Sequence, residues 1–245
     1  MANIGRATVI LDSIAESRWP MTLTDLATRT GLPRSTVHRV IQALERELYV
    51  VRVPDRSGYI LVPGLLKFGM NAHLRLLSAN RSQLATLART VNENVELAIF
   101  SGREVVVVDQ IASPERLRGV TKVGKSFSLH ASCIGKAMLA QLPEEQAVAL
   151  LSPVLPRFTD KTITERAALL AELAEVRRSH VSVDIEEHDV GICAVATAMI
   201  GPTGALQAIA IVIPSGRFKA KKELAVEGLK VVNSQVDLGL SRAQF

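Results

Sequence analysis

The apolar residues in the first 50 positions recur every three or four residues, which is the spacing of one buried helix face. One such segment contains Val37, Val40, Ile41, Leu44 and Leu48. Two shorter amphipathic segments precede it, at 7–15 and 24–30, and Thr24 is a predicted N-cap. Gly31 and Pro33 separate the second and third segments, since glycine often ends a helix and proline is accepted in a first turn. The sequence therefore predicts three short helices, the last two joined by a tight turn.

The polar face of the third predicted helix carries groups that bond to phosphates and base edges. These groups are Ser35, Thr36, His38, Arg39, Gln42 and Arg46. A short turn followed by a helix that is apolar on one face and polar on the other is typical of a helix-turn-helix. Its second helix would enter the DNA major groove. The same pattern also fits a solvated amphipathic helix in another kind of helical domain.

Two short β-prone runs follow, 50–53 and 59–61, and the segment PDRSG lies between them. This arrangement predicts a two-stranded hairpin. Arg52 lies at its base and Arg56 at its tip, where both side chains are candidates for contact with the DNA backbone. We therefore predict a winged helix-turn-helix over residues 1–62.

Helical spacing rich in leucine returns after Pro63 and continues to Val91. We predict a linker helix over residues 63–91, and such helices between domains often make dimer contacts. Helix-turn-helix proteins usually pair across a two-fold axis to bind two half-sites.

The pattern changes again from residue 92. Valine-rich and alternating runs predict strands at 95–100, 105–111, 119–123, 127–129, 181–184, 192–199 and 206–213. Helical patterns lie at 132–140, 143–151, 164–178 and 219–240. We expect residues 92–245 to form a domain with a mostly antiparallel sheet covered by helices, so the fold class is α+β.

Composition and charge narrow the possible functions. Apolar residues make up 48% of the chain, which is enough for a real core. The net charge is +5, and the first 70 residues hold nine Lys or Arg and six Asp or Glu, a mild basic excess that suits nucleic acid. We find no apolar run long enough for a membrane span and no signal-peptide pattern, so we expect a cytoplasmic protein. Two cysteines are too few for a disulfide framework.

These motifs occur together in one known family. The N-terminal match comprises Leu26–Ala27, Thr30–Val37, Arg39 and Gly58–Tyr59. The C-terminal match comprises Leu129–Ser132, Gly135–Ala137, Leu139–Ala140, Asp184, Glu187, Gly191, Cys193, Ala194 and Pro214. Over essentially its whole length, the chain resembles the IclR family of bacterial transcriptional regulators.

The resemblance implies a winged helix-turn-helix, a linker helix and a GAF-like effector-binding domain. It implies a homodimer or homotetramer that binds double-stranded operator DNA, with binding modulated by a small organic effector, often a carboxylate or an aromatic compound. We expect no cofactor. By the resemblance, the residues that face the operator are Arg34, Ser35, Thr36, His38 and Arg39.

The resemblance also places the effector pocket. The implied pocket residues are Gly119, Phe127, Leu129, Ala131, Ser132, Asp184 and Cys193. Some members that bind small polar acids have serines at the positions of Ala210 and Val212, so we expect a larger or more apolar effector here. Independently of the family, Ser132 is predicted to begin a helix, where backbone N–H groups and the helix dipole favour an anion.

One departure from the family pattern concerns the recognition helix. Leu48 stands where the family often has glycine, so we expect this helix to continue toward Tyr49.

Two other functions stay open. One is a thiol enzyme on the C-terminal domain, since His130 and Cys133 could supply a base and a nucleophile. These two residues lack the partners of a zinc site, and we expect no bound metal. The other is an effector-free DNA-binding protein whose C-terminal domain only oligomerises.

Overall fold

The computed structural model describes residues 3–54, 58–102, 104–201 and 203–242. The chain divides into two compact units, Met1–Ala72 and His73–Phe245. Within the described ranges, none of the helices is both long enough and apolar enough to cross a membrane.

The described residues of the N-terminal unit form three complete helices, a hairpin and the first turns of a fourth helix. The helices are α1 (Asn3–Ala15), α2 (Leu23–Thr30) and α3 (Arg34–Arg46). Strand β1 (Val50–Val53) pairs antiparallel with β2 (Gly58–Leu61), and a short 3-10 turn (Pro63–Leu65) leads into α4 (Leu66–Val91). The apolar faces of the three helices meet in a core around Ile10, Leu26, Val37 and Ile41, all fully buried.

Both ends of the helix-turn-helix differ in detail from the prediction. Thr22, not Thr24, caps α2, and its side chain and that of Asp25 form a reciprocal capping box. At the other end α3 stops at Arg46 and does not continue toward Tyr49. Leu48 itself takes the left-handed conformation, with φ of 57°. Helix termination by a left-handed residue therefore occurs here without the glycine that usually supplies it.

The C-terminal unit is built on a six-stranded sheet. Its strands are β3 (Asn94–Phe100), β4 (Val105–Ile111), β5 (Ser126–Phe127), β6 (Ser182–Ile185), β7 (Ile192–Ile200) and β8 (Leu206–Pro214). All pairs are antiparallel and the order is β5-β4-β3-β8-β7-β6. The remaining helices are α5 (Cys133–Gln141), α6 (Glu144–Leu150), α7 (Arg166–Ser179) and α8 (Ser215–Arg242). The predicted strand at 119–123 is wrong, because this segment is irregular.

Helices cover both faces of the sheet because side chains alternate along each strand. On one face, strand residues such as Leu97, Val195 and Ile211 pack in a core with residues of α4 and α8. On the other, small residues such as Ala196 and Ala208 pack in a core with residues of α5, α6 and α7. The predicted α+β class is confirmed, and the second face leaves room for a cavity.

Candidate functional site

The polar face of α3 is presented to solvent. Val37, Ile41 and Leu44 anchor the helix in the core, so the opposite side chains point outward. Arg34, Ser35, His38 and Arg39 are exposed, and Thr36 is half-buried. Within the described residues, Arg34 and Arg39 join no intramolecular ion pair, which leaves both guanidinium groups available for phosphates or bases.

The hairpin after α3 forms the wing. Arg52 is exposed on β1, where it lies opposite Tyr59 in the antiparallel register. Arg56 lies outside the described residues. The wing is held against the helices by Tyr59, whose backbone N–H donates to the Met21 carbonyl at 2.8 Å. A side chain at position 58 would meet Pro20 at 2.7 Å, so glycine permits this close approach.

A cavity of about 70 Å³ lies in the C-terminal unit, on the sheet face that packs against α5. Its floor consists of the small side chains Ala194, Ala210 and Val212 on β7 and β8. Across the cavity lie the start of α5 and the segment 119–125. A Cβ atom on Gly119 would lie 2.7 Å from Val212 Cγ1, so only glycine allows this segment to come so close to the floor.

Two buried acidic residues lie at opposite ends of the floor. Glu96 on β3 pairs with Ala210 on β8, and Asp184 on β6 pairs with Ala194 on β7. Strands β3 and β6 are separated by three inter-strand intervals of about 4.8 Å, so the two backbones are about 14 Å apart. The side chains of both residues line the same cavity.

The carboxyl group of Glu96 is only partly satisfied. Burial raises the pKa of Glu96, while a hydrogen bond from the Thr121 side chain and the positive charge of Lys125 oppose the shift. Its Oε1 atom is buried and accepts no hydrogen bond from the described parts of the chain. The cavity therefore contains an unused acceptor.

Asp184 is better satisfied. Its Oδ1 accepts a hydrogen bond of 2.7 Å from the Glu187 backbone N–H in the turn after β6. Burial raises the pKa of Asp184 to about 7, and the negative charge of Glu187 adds to the shift. Glu187 in turn lies 2.6 Å from the Nζ of Lys136, a fully buried lysine on α5 that also pairs with Glu172.

Aromatic rings and a matched ion pair surround one side of the cavity. Phe127 and His188 line it with ring centroids 4.9 Å apart, and His188 also stacks on Phe158 at 4.8 Å. The Nζ of Lys125 lies 4.4 Å from the centroid of the Phe127 ring and 3.7 Å from Asp189. Lys125 therefore has Asp189 as a carboxylate partner, in addition to its electrostatic attraction for Glu96.

The structure brings together six of the nine residues expected at an effector pocket. Gly119, Phe127, Ser132, Asp184, Ala210 and Val212 line the cavity. Ser132 caps α5 as expected, and its Oγ accepts the Gly135 N–H at 3.1 Å.

The other three expected residues lie elsewhere. Leu129 and Ala131 are buried just before α5 but do not line the cavity. Cys193 points to the opposite sheet face and packs in the core formed with α4 and α8. Neighbouring strand residues face opposite sides, so Ala194 takes the cavity position instead.

Sequence reasoning missed Glu96, Lys125 and His188. A sequence signal did exist for Glu96, because an acidic residue interrupts the apolar run of β3. A buried acid in a strand interior is uncommon and points to a function or a paired partner.

The thiol-enzyme alternative gains no support from the geometry. Burial raises the pKa of the Cys133 thiol well above its usual value, and the negative charge of Asp184 adds to the shift. Such a thiol is a poor nucleophile. His130 is engaged elsewhere, since its Nε2 donates to the Pro156 carbonyl at 2.9 Å and its Nδ1 lies 2.6 Å from the Ser128 hydroxyl. The described part of the chain contains no metal-binding cluster of His, Cys, Asp and Glu.

The chain matches two models of one known protein family. The profile described as "IclR helix-turn-helix domain" matches residues 4–54, and "Bacterial transcriptional regulator IclR C-terminal" matches residues 70–238. The HTH-type transcriptional regulator TtgV of Pseudomonas putida is 35% identical, over 98% of this chain and 92% of that protein. An HTH-type transcriptional regulator of Mycobacterium tuberculosis is 36% identical, over 96% of this chain and 90% of its own length.

Solved structures share the fold. An IclR transcriptional regulator from Silicibacter sp. superimposes with a TM-score of 0.87 at 24% identity, covering 96% of this chain and 94% of its own. An IclR homolog from Microbacterium hydrocarbonoxydans in complex with 4-hydroxybenzoate gives a TM-score of 0.67 at 22% identity, covering 95% of this chain and 100% of its own. The relatives named here are transcriptional regulators, not enzymes.

Proposed function

This chain belongs to the IclR family of bacterial transcriptional regulators, and we propose that a small organic effector controls its binding to operator DNA. The N-terminal helix-turn-helix is the DNA-binding domain and the C-terminal domain is the IclR effector domain. The observation that carries the proposal is the row of exposed hydrogen-bonding side chains on α3, a helix anchored by its apolar face. A regulator of this kind works beside the chromosome, so we propose a cytoplasmic location.

The face of α3 enters the major groove. The residues that contact bases or phosphates there are Arg34, Ser35, Thr36, His38 and Arg39. Arg52 of the wing contacts the DNA backbone. We propose the same contact for Arg56 on the sequence pattern alone, since this residue lies outside the described ranges. Arginine suits both roles because its planar guanidinium group donates two parallel hydrogen bonds to one phosphate or to the edge of one guanine.

We propose the domain limits 1–62 for the winged helix-turn-helix, 63–91 for the linker helix and 92–245 for the effector domain. The division between the two compact units, after Ala72, falls inside the linker helix. Its first turns carry the exposed apolar side chains Leu66, Phe68 and Met70. We propose that this surface contributes to a homodimer or homotetramer, since two recognition helices are needed for two half-sites.

The cavity in the C-terminal domain is the effector site. It combines an apolar floor, an aromatic wall and a few polar groups, which is typical of a small-molecule site. The neighbour from Microbacterium hydrocarbonoxydans, which shares the fold, was crystallised with the aromatic compound 4-hydroxybenzoate. Phe127 and His188 give one wall an aromatic surface, against which either a short apolar chain or part of a ring can pack. The start of α5 favours an anion, but Glu96 and Asp184 oppose one.

The effector acts by a population shift. The effector binds one arrangement of the linked domains more tightly than another. The difference between these two binding free energies sets how far operator occupancy changes. A coupling free energy of about 1–3 kcal/mol suffices for a change of several-fold or more. The cavity contains a buried acceptor without a partner among the described residues, which favours a protein that binds an effector over an oligomer that binds none.

The test begins with selection of binding sites for the purified protein from a random DNA library. Affinity for the selected site is then measured by fluorescence anisotropy at two or more salt concentrations. We expect Arg39→Ala to weaken binding at least about tenfold, the size of one good arginine contact. Arg178→Ala on α7 is the matched control, since this exposed arginine lies outside the DNA-binding unit. Equal affinities of the two variants would contradict the proposal.

A further inference from the structure

We propose that Glu96 recognises the effector by accepting a hydrogen bond from an ammonium or hydroxyl group, and that the cavity discriminates against carboxylates. This inference rests on the proposed function and names the chemical class of the effector. It assigns a specificity-determining role to a residue of β3 that family resemblance did not indicate.

The first support is the unused acceptor. Glu96 is only 2% exposed, and it is among the side chains that line the cavity. Its Oε1 atom has no hydrogen-bond partner within the described residues. A buried acceptor without a partner destabilises the folded protein, so a ligand that donates a hydrogen bond to this atom removes that cost.

The second support is the space beside this carboxyl group. Val95 and Leu97, its neighbours on β3, point into the core on the other sheet face. The cross-strand neighbour of Glu96 on β8 is Ala210, whose small side chain leaves the floor open. Farther along the floor are Ala194 and Val212, which are also small and apolar. A ligand that extends from Glu96 along this floor therefore meets apolar contacts.

The third support is the balance of charge. Among the described lining residues, the acidic ones are Glu96, Asp184 and Asp189, and the basic one besides His188 is Lys125. Lys125 already pairs with Asp189. Lys136, behind the wall, is held by Glu172 and Glu187. A carboxylate ligand would add negative charge beside two buried acids, whereas a donor group complements them.

The volume of the cavity decides which probes are suitable. A cavity that holds benzene in another protein measures about 150 Å³. At about 70 Å³, the present cavity admits a donor group with a short apolar chain more readily than a whole ring. The probes must therefore include a small set and an aromatic set. Within each set, an amine, an alcohol and a carboxylate share the same hydrocarbon group.

The experiment uses the full-length protein at pH 7.5 and two matched sets of compounds. The small set is propylamine, 1-propanol and propionate, and the aromatic set is benzylamine, benzyl alcohol and benzoate. Thermal shift and titration calorimetry measure binding of each compound. We expect an amine or an alcohol to bind at least tenfold more tightly than the acid of the same set. Preference for the amine identifies a cationic effector, and preference for the alcohol identifies a neutral one.

Substitution of Glu96 tests the residue itself. Glu96→Gln keeps the size of the side chain, removes its charge and replaces one of its two acceptor oxygens by an NH2 group. We therefore expect it to weaken a preferred amine at least tenfold and a preferred alcohol by a smaller factor. Glu227→Gln, at an exposed position of α8, is the matched control and should leave binding unchanged. If E96Q does not fold, the comparison of head groups on the wild-type protein still decides the question.

Three outcomes overturn the inference. They are tighter binding of the acids, absence of binding by every amine and alcohol, and undiminished donor binding by a folded E96Q variant. Operator binding measured on the same preparations separates this inference from the proposed function. If the wild-type protein binds its operator but one of these three outcomes is observed, only the role of Glu96 is rejected. If the wild-type protein binds no operator, the proposed function is rejected.

Discussion

Asn80 and Gln207 form a reciprocal amide pair that fastens helix α4 to the sheet. The Gln207 Nε2 donates to Asn80 Oδ1 at 2.8 Å, and the Asn80 Nδ2 donates to Gln207 Oε1 at 3.2 Å. Both side chains are buried, and Asn80 also donates to the Leu76 carbonyl at 2.8 Å. A polar pair inside an apolar core fixes the register of α4 against β8, because any sliding leaves both amides without partners.

We expect Asn80→Leu to lower the free energy of unfolding by about 1–3 kcal/mol, since it leaves the buried Gln207 amide without its partner. Urea unfolding followed by circular dichroism measures the change. The double variant N80L/Q207L should recover part of the loss, because neither amide remains. Ser78→Ala, at an exposed position of the same helix, is the control and should have little effect. An N80L variant as stable as the wild type would contradict the role of this pair.

Substitution of Leu48 is expected to raise stability, whereas substitution of Asn80 lowers it. It holds a left-handed conformation with φ of 57°, and its side chain is 72% exposed. The left-handed conformation costs an ordinary residue about 1–2 kcal/mol, and glycine pays little of that cost. We therefore expect Leu48→Gly to stabilise the N-terminal unit by about 1 kcal/mol, measured by thermal unfolding.

The neighbouring Glu47 provides the comparison for Leu48. It is also exposed, but its φ is −84°, which suits any residue. Glu47→Gly should therefore lower stability slightly, because glycine adds conformational entropy to the unfolded chain. A decrease of similar size in both variants would show that the backbone at Leu48 is not strained.

Asp184 makes stability depend on pH. Its folded-state pKa is about 7, above its ordinary value of 3.8. Between these values the folded protein holds a proton that the unfolded chain has lost. The contribution of Asp184 is therefore fully present below about pH 4 and is lost as pH rises to about 7, with a slope of roughly 1.4 kcal/mol per pH unit at most.

Other titratable or charged groups surround Asp184, so the measurement must be a difference between the wild type and a variant. They include Glu187 and Lys136 on the elements packed against it, with Glu96, His188, Cys133, Lys125 and Asp189 around the same cavity. Asp184→Asn cannot ionise but keeps an oxygen that accepts the Glu187 N–H. Urea unfolding from pH 4 to 8 should show the wild type losing stability relative to D184N as pH rises. A difference that stays constant over this range would rule out the raised pKa.

Local patterns were sufficient for most of the elements. The apolar spacing of α3 and the alternation along β7 and β8 depend only on neighbouring residues, so their positions were predictable to within a few residues. Helix ends were less predictable, since Leu48 stops α3 in a conformation that its residue type does not favour. The segment 119–123 has β-prone residues but is irregular in the structure. The strand that does pair with β4 beyond it is β5, which contributes only two residues.

The sequence by itself determined the chemistry that was available: an amphipathic helix with arginines on its open face, an alternating sheet, and a helix that begins at Ser132. The tertiary structure decided which of these groups meet. Cys193 and Ala194 are neighbours in the chain, yet the strand register places only Ala194 at the cavity. Glu96 and Asp184 are far apart in sequence, and the strand order β3-β8-β7-β6 places them on one floor. A sheet pairs distant segments through backbone hydrogen bonds that carry no residue-specific signal, so only the folded chain shows that these two acids share a site.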